Sequence, residues 1–387
     1  MPSVESLRRD PRSVRGDGAA GAPAPGSPGG DGVAGGFARR VEDAVARVPA
    51  AVAAAWRAVP APADDQPELR ALVDRLAGQG GGKYVRARLA AAAYLGSGGS
   101  DVRTCDALAT AVQLLHVGLC VHDDLIDDDD RRHGAANVFG RVRDEWLERG
   151  ADRRVAGRQA ASAALLAGDL AIGEAMGLLA AAPVAPEVRV ALVCEAVAAL
   201  RRAVSGELMD VAGEESPPEA ARPTRTAELK TSGYSVVLPL RAGALASGRA
   251  DAATLDALDG YGRHLGVAYQ LRDDELAVFG DPERTGKSTS SDIRGGKRTF
   301  LLQLTLAAAS PAQRASLERD VGRPGLTEDG IERVRAIMRE TGALERHRAC
   351  IVRRAADAAA ALDDAGLPAA LDGYLRVLAR SVPTRES

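Results

Sequence analysis

The sequence predicts an all-α fold, and three observations indicate it. Apolar residues recur at helical spacing over most of the chain after Phe37. No stretch shows the sustained two-residue alternation of β-branched residues that is typical of strands, so we expect no sheet. Aromatic residues make up only 3% of the 387 residues and alanine is abundant, a composition that favours helices packed closely through small side chains.

Breaks in the apolar pattern set the bounds of the predicted elements. Residues 1–36 are rich in Gly, Pro and Ala and predict a disordered tail, which leaves 37–387 as one all-α domain. Gly- and Pro-rich breaks follow at 96–100 and 213–223, and a polar loop at 280–296 has the length of a functional lid. Helices are predicted at 39–58, 66–78, 83–95, 101–128, 155–182, 186–212, 224–247, 251–279, 298–309, 326–340, 342–364 and 367–380.

Composition and charge exclude several classes of protein. A net charge of −3 and a pI near 6.1, with no basic run interleaved with aromatic residues, argue against nucleic-acid binding. The apolar run 160–183 contains Asp169 and Glu174, which favours a buried helix over a membrane span. The four cysteines lie far apart and form no CxxC pair, so we expect no zinc or redox site and a cytoplasmic protein.

The densest run of charge lies at 121–134, where six carboxylates and two arginines follow an apolar segment. Asp123 and Asp127 are four residues apart, so on a helix they project from one face, one turn apart. Magnesium typically takes one or two protein carboxylates and fills its other positions with water and substrate phosphates. The spacing therefore predicts a magnesium site.

A second acidic motif, at 269–275, ends another apolar helical run and contains Asp273 and Asp274. Two helices that present carboxylates to each other would form a cleft for several divalent ions, and such a cleft suits a diphosphate. Acidic residues number 53 in this chain, so short runs also arise by chance. Asp64-Asp65, in a Pro-rich connector with no apolar helix before it, is such a decoy.

Lysine usage is a separate signal, because the chain has 50 basic residues and nearly all are arginine. Lys83 follows three glycines and precedes Arg86 at helical spacing, an arrangement that suits an anion at a helix N-terminus. Lys230 precedes Thr231 on a predicted helix. A single lysine is usually a surface residue, but retained lysines at such positions indicate a need for a compact point charge. The four lysines are Lys83, Lys230, Lys287 and Lys297.

Taken together, these motifs resemble those of trans-isoprenyl diphosphate synthases of the polyprenyl synthetase family, in the style of actinobacterial geranylgeranyl diphosphate synthases. The resemblance covers roughly residues 39–380. It implies an isoprenoid-synthase-type helical bundle around a central cavity, a homodimer, and condensation of an allylic diphosphate with isopentenyl diphosphate. It also implies Mg²⁺ as the cofactor, with three ions when substrate is bound. The matching segments are HDDLID at 122–127, YQLRDDELAVFGD at 269–281, GKYVR at 82–86, Lys230-Thr231, Gly286-Lys287, Asp292, GKRT at 296–299 and Gly168-Asp169-Leu170.

The resemblance also implies roles for individual residues. The metal ligands would be Asp123, Asp127 and Asp273. The catalytic set would be Asp123, Asp124, Asp127, Lys230, Asp273 and Asp274. The allylic diphosphate would contact Arg132, Lys230, Thr231, Gln270, Lys287 and Lys297. The isopentenyl diphosphate would contact Lys83, Arg86, His116 and His133. The chain departs from the family pattern at Tyr84, Ala87, His133, Glu207 and Ala277, the last of which replaces a third aspartate.

Product length is predicted from the helix that leads into the first motif. Leu119, Gly118 and Leu115 lie one and two turns before Asp123 and would form the cavity floor. Relatives that stop at fifteen carbons have large aromatic residues at or beside position 118, so Gly118 predicts a product of twenty carbons or more, with geranylgeranyl diphosphate favoured. The alternative is that Gly118 only permits close helix packing.

Two alternative functions remain open at this stage. The altered residues Tyr84, Ala87 and His133 are compatible with a terpene cyclase on the same scaffold, which would not use isopentenyl diphosphate. A non-catalytic partner subunit of a prenyl synthase is the other, although both aspartate motifs are retained.

Overall fold

A computed structural model describes residues 31–59, 66–79, 81–132, 134–215, 222–281 and 290–386. It consists almost entirely of helices, which confirms the predicted all-α fold. In chain order the elements are α1 Asp31–Ala58, α2 Pro67–Ala77, α3 Val85–Gly96, α4 Val102–Ile126, β1 Arg131–Arg132, β2 Ala135–Ala136, α5 Val138–Glu148, α6 Arg153–Ala180, α7 Pro186–Glu215, α8 Arg222–Ala227, a π-helix Glu228–Val237, α9 Leu238–Ala246, α10 Ala252–Phe279, α11 Ser291–Gly295, α12 Phe300–Ala308, α13 Pro311–Asp320, α14 Glu328–Glu340, α15 Ala343–Ala360, α16 Ala369–Ser381 and a 3₁₀ turn Val382–Thr384.

Several predicted bounds need correction. Helix α1 begins at Asp31, six residues inside the predicted tail 1–36, whereas residues 1–30 lie outside the described residues. Helices α5 and α13 were not predicted, because both are short and carry many charges. The start of each helix is stabilised by an N-terminal cap, which apolar periodicity does not reveal. Asn137 accepts a hydrogen bond from the Gly140 N–H at the start of α5, and Ser310 forms a capping box with Gln313 at the start of α13.

The prediction of no sheet is wrong in one place. Arg131 and Arg132 pair antiparallel with Ala135 and Ala136, and Gly134 in the turn has a φ of 78°, which favours glycine. The hairpin is too short to show alternation in the sequence. It matters because it folds the chain back onto the end of α4.

Helix α4 lies at the centre of the larger core and packs against α1, α3 and α6. A second core surrounds α10, which packs against α15 and the π-helix. A smaller third cluster joins the end of α10 to α12 and α14. The C-terminal ends of α4 and α10, which carry the two acidic motifs, therefore belong to neighbouring cores.

Two described helices, α4 and α6, are long and apolar enough by length and composition to cross a membrane. The apolar window of α4 is 72% buried inside the fold, as expected of a core helix. That of α6 is only 33% buried, so the prediction of a buried helix there is wrong. One side of α6 packs on α4, and the other exposes Leu165 and Leu166.

The segment predicted as one helix at 224–247 is divided by the ten-residue π-helix. Glycines on both flanking helices permit its close approach. A Cβ built on Gly206 of α7 would lie 2.2 Å from the backbone N of Lys230, and one on Gly266 of α10 would lie 2.5 Å from Cα of Ser232. Real Cβ atoms do not approach this closely, so these contacts require glycine. Long π-helical segments are rare and are frequent at functional sites.

Candidate active site

The first acidic motif is shaped by the way α4 ends. Asp127 follows the last helical residue, and Asp128 adopts a left-handed φ of 55° that turns the chain toward the β1–β2 hairpin. The hairpin returns Arg132 to the helix end, where Nη2 lies 2.6 Å from Asp124 Oδ1 and 3.2 Å from Asp123 Oδ2. Arg132, predicted to contact the allylic diphosphate, therefore lies beside the first acidic motif.

The three predicted aspartates of this motif differ in environment. Asp124 is only 3% exposed, and its burial raises its pKa although the Arg132 guanidinium opposes the shift. Burial also tends to raise the pKa of Asp123, but the positive charges of Lys230 and Arg132 outweigh this effect and hold the pKa of Asp123 below its usual value. Asp127 is exposed. Asp123 and Asp127 thus present charged carboxylates to basic side chains, while the buried Asp124 mainly orients Arg132.

Lys230 projects from the π-helix into a group of three carboxylates. Its Nζ lies 2.9 Å from Asp123 Oδ1, 2.9 Å from Glu207 Oε2 and 2.8 Å from Asp210 Oδ2. Burial disfavours the ammonium, but Asp123 and Asp210 together with Glu207 raise the pKa of Lys230 well above its usual value. The ammonium is therefore charged at any physiological pH and is already held in place.

The sequence prediction did not include Asp210 and treated Glu207 only as a departure from the family pattern. Their spacing of three residues on α7 places both carboxylates on one helix face. This spacing is the sequence feature that could have identified them as a pair. Only the packing of the π-helix against α7 shows which cation they hold.

The second motif is connected to the π-helix by side-chain hydrogen bonds. The Thr231 hydroxyl donates to Gln270 Oε1 at 3.0 Å, and Gln270 Nε2 donates to Asp274 Oδ1 at 2.9 Å. Burial and the nearby Asp292 raise the pKa of Asp274 to about 7. Thr231, Gln270 and Asp274, predicted separately, therefore form one connected group.

Lys297 lies between the two acidic motifs. Its Nζ is 3.6 Å from Asp127 Oδ2, and its charge also acts on Asp123 of the first motif and on Asp274 of the second. Burial opposes the charge, but Asp127 and Asp292 raise the pKa of Lys297 above its usual value. Both motifs thus face one ammonium on the same side of the bundle. Two other predicted contacts, His133 and Lys287, lie outside the described residues.

Arg86 and His116, predicted for isopentenyl diphosphate, both contact the Tyr234 ring. Arg86 Nη2 lies 2.7 Å from Ser235 Oγ, and its guanidinium lies 5.1 Å from the centre of the Tyr234 ring. His116 stacks with the same ring, with the centroids 6.1 Å apart. Tyr234 and Ser235 were missed because nothing in the sequence relates the π-helix to α3.

Lys83 precedes α3, which begins at Val85, so it does not lie on the helix as predicted. Burial and the charge of Arg385 lower the pKa of Lys83. Arg385, near the C-terminus, forms an ion pair with Asp273 and places its guanidinium 5.0 Å from the centre of the Tyr269 ring. The C-terminal segment therefore reaches the second acidic motif, a long-range contact without a sequence signal.

Gly118 does not face an open floor. A Cβ built on it would lie 2.8 Å from Ile172 Cγ1 and 2.9 Å from the Gly168 carbonyl oxygen, so α4 and α6 are in close contact there. This geometry favours the alternative that Gly118 permits helix packing. Leu119, half-buried and four residues before Asp123, lies on the motif's own face, and Leu115 is buried.

Among the described residues, no three His, Cys, Asp or Glu side chains form a group that holds a metal by itself. Mg²⁺ is usually bound by one or two carboxylates together with substrate phosphates rather than by an all-protein cage. The hard oxygens of Asp123, Asp127 and Asp273 fit that requirement. Each already contacts a basic side chain, namely Lys230, Lys297 and Arg385 respectively.

Comparison with known proteins places these features in a family. The polyprenyl synthetase family model matches residues 66–338. An octaprenyl diphosphate synthase of Haemophilus influenzae is 31% identical over 69% of this chain and 74% of its own length. A geranylgeranyl diphosphate synthase of Mycobacterium tuberculosis is 30% identical over 73% of this chain and 75% of its own.

The fold agrees with the sequence match. A crystal structure of geranylgeranyl pyrophosphate synthase from Corynebacterium glutamicum, complexed with isoprenyl diphosphate and magnesium, superposes with a TM-score of 0.78 at 28% identity. The match covers 90% of this chain and 98% of that one. With the family match over most of the helical domain and both acidic motifs on one side of the bundle, the chain belongs to the polyprenyl synthetase family and is a trans-prenyl diphosphate synthase.

Proposed function

We propose that the chain condenses an allylic diphosphate with isopentenyl diphosphate to give an all-trans prenyl diphosphate of twenty carbons or more, with geranylgeranyl diphosphate favoured. The main support is geometric: the Lys230 ammonium contacts Asp123 of the first motif, and its neighbour Thr231 is hydrogen-bonded through Gln270 to Asp274 of the second. A diphosphate that binds beside this ammonium would lie within reach of the carboxylates of both motifs. The relatives differ in the products their names state, and the space beside Gly118 is filled by α6, so the length of the product is the part of the proposal that the assay below must decide.

The basic side chains would stabilise the charge that develops as the carbon–oxygen bond of the allylic diphosphate breaks. Lys230, Lys297 and Arg132 are held by carboxylates before substrate arrives, so little reorganisation is needed during the reaction. When bound, Mg²⁺ supplies further neutralisation of the diphosphate, and three ions held by Asp123, Asp127 and Asp273 with the substrate would suit this site.

The second substrate would bind at Lys83, Arg86 and His116. The double bond of isopentenyl diphosphate attacks the allylic cation, a new carbon–carbon bond forms, and a proton leaves to the released diphosphate. No protein base is required. The stack of His116 on Tyr234, with Arg86 on the same ring, would fix the position of the isopentenyl diphosphate group.

One assay tests this function. The purified chain is incubated with Mg²⁺, labelled isopentenyl diphosphate and each allylic starter in turn, and the dephosphorylated products are sized by chromatography. We expect label in products of twenty carbons or more. Hydrocarbons formed without uptake of label would instead show a terpene cyclase, and inactivity of the lone chain with every starter would indicate a non-catalytic subunit.

Leu119→Phe is expected to shorten the product, because the larger ring lies one turn below Asp123 on the same helix face and closes the floor. The product distribution should shift by at least one five-carbon unit. The control is Leu147→Phe on the surface of α5, which should leave the distribution unchanged. An unchanged product from an active Leu119→Phe enzyme would show that the floor lies elsewhere.

We also propose a homodimer that pairs through α6 and α7. Helix α7 exposes Val190, Cys194, Arg201, Val204, Leu208 and Val211, with the half-buried Val197 between them, and their spacing of four and three residues follows one helix face. Leu208 is 67% exposed and Val204 is 50% exposed. On α6, Leu165 and Leu166 are exposed as well. Apolar residues exposed at this density indicate an interface.

Val204→Glu is expected to weaken the dimer about 100-fold, because it places two like charges in one symmetric interface. Sedimentation velocity over a range of concentrations measures the effect. Val377→Glu on α16, also an exposed valine but outside the stripe, is the matched control and should stay dimeric. A Val204→Glu protein with wild-type association would exclude this face.

A cytoplasmic location is proposed from the cysteines. Cys105, Cys120, Cys194 and Cys350 are all free thiols in the structure, and Cys105 and Cys350 are buried. Chains that pass through oxidising compartments usually pair their cysteines.

A further inference from the structure

A second basic site lies beside the π-helix. A cleft of about 220 Å³ is lined by three arginines from three elements, Arg202 of α7, Arg225 of α8 and Arg263 of α10. Its floor is formed by the π-helix through Leu229, Gly233 and Val237. This volume is several times what one water molecule requires. The cleft is separate from the acidic motifs, since none of the aspartates of the candidate active site lines it.

The charges in the cleft are not balanced by its own carboxylates. Arg225 Nη1 lies 3.1 Å from Glu228 Oε2, and Arg263 forms an ion pair with Asp259 one turn earlier on α10. Arg202 forms no ion pair with any described residue. Three guanidinium groups thus face two carboxylates, and a planar guanidinium binds phosphate oxygens through paired N–H donors.

The shape of the floor permits a ligand to approach the arginines. Gly233 has no side chain, and a Cβ built there would meet only the Arg202 side chain, at 3.5 and 3.6 Å. The hydrocarbon part of Arg202 therefore lies along the glycine and holds the guanidinium beside the cleft. The same helix carries Lys230, which contacts Asp123, so the cleft and the candidate active site share one structural element.

We propose that this cleft binds a phosphate- or diphosphate-bearing small molecule through Arg202, Arg225 and Arg263, at a site distinct from the one that holds Lys230. Inorganic diphosphate is the appropriate probe, because it presents paired oxygens to more than one guanidinium. The proposal does not depend on the reaction assigned to the active site.

The test uses isothermal titration calorimetry of the full chain with inorganic diphosphate in EDTA. Lys230→Ala serves as the background, so that binding at the active site is weakened. We expect this protein to bind one diphosphate. Adding Arg202→Ala and Arg263→Ala should weaken that binding about 100-fold, because two charge-assisted contacts are lost. Adding Arg103→Ala and Arg380→Ala instead removes two exposed arginines outside the cleft and should leave the affinity unchanged.

Two results would overturn the proposal. One is equal affinity in the cleft variant and its control, which would place the anion elsewhere. The other is no measurable heat with the Lys230→Ala background at millimolar diphosphate. A parallel titration with inorganic phosphate distinguishes the two ligand sizes. A ligand that spans two arginines loses affinity when either Arg202→Ala or Arg263→Ala is made singly, whereas a ligand that contacts one arginine loses affinity with only one of these variants.

Discussion

Asp123→Asn is expected to lower kcat/KM about 10³-fold, the effect of removing one well-placed electrostatic group from a transition state. Asp123 contacts Lys230 at 2.9 Å and Arg132 at 3.2 Å, and it is a proposed ligand of Mg²⁺. Asparagine keeps the shape but loses the charge that orients both cations. Steady-state incorporation of labelled isopentenyl diphosphate measures the change.

The variant should remain folded, because Lys230 keeps Glu207 and Asp210 as partners. Asp128→Asn is the matched control. It makes the same chemical change in the same motif, at an exposed residue whose left-handed backbone asparagine adopts readily. If Asp123→Asn and Asp128→Asn have similar activities, the first motif does not bind the reacting diphosphate.

Gly206→Ala is expected to reduce activity about 100-fold, since a displacement of about 1 Å in a catalytic group can have that effect. The added Cβ would lie 2.2 Å from the Lys230 backbone N and 2.6 Å from its Cα, so the π-helix must move. Lys230 would then lose its position relative to Asp123. Thermal unfolding and kcat should be measured on the same preparation.

Gly157→Ala on α6 is the control, because a Cβ there meets nothing within 4 Å. It should keep full activity and raise the free energy of unfolding by about 0.5–1 kcal/mol, the ordinary gain from alanine in a helix. If Gly206→Ala keeps normal kcat and normal stability, the close approach of α7 to the π-helix is not required.

The candidate site was largely predictable where its chemistry depends on local spacing. Asp123 and Asp127 share a helix face by sequence separation alone, and Arg132 follows within the same motif. Thr231 and Gln270 could be proposed only through family resemblance. Their hydrogen bond at 3.0 Å joins two distant segments, and no spacing rule predicts it.

The remaining features depend on tertiary packing. The π-helix forms where α7 and α10 approach through Gly206 and Gly266, and the sequence between 228 and 237 has no pattern that distinguishes π from α. Arg385 reaches Asp273 across more than a hundred residues. Gly118 was interpreted as an open floor because residue size alone does not show that Ile172 of α6 fills the space beside it.

The central claim is that both acidic motifs hold one metal-bound diphosphate. A crystal structure with Mn²⁺ in place of Mg²⁺ and a non-hydrolysable allylic diphosphate analogue tests it most directly, since anomalous scattering locates each ion. We predict ions in contact with Asp123 and Asp127 on one side and with Asp273 on the other, with the diphosphate between them and beside Lys230 and Lys297. Ions at only one motif, or a diphosphate bound away from Lys230, would contradict the claim.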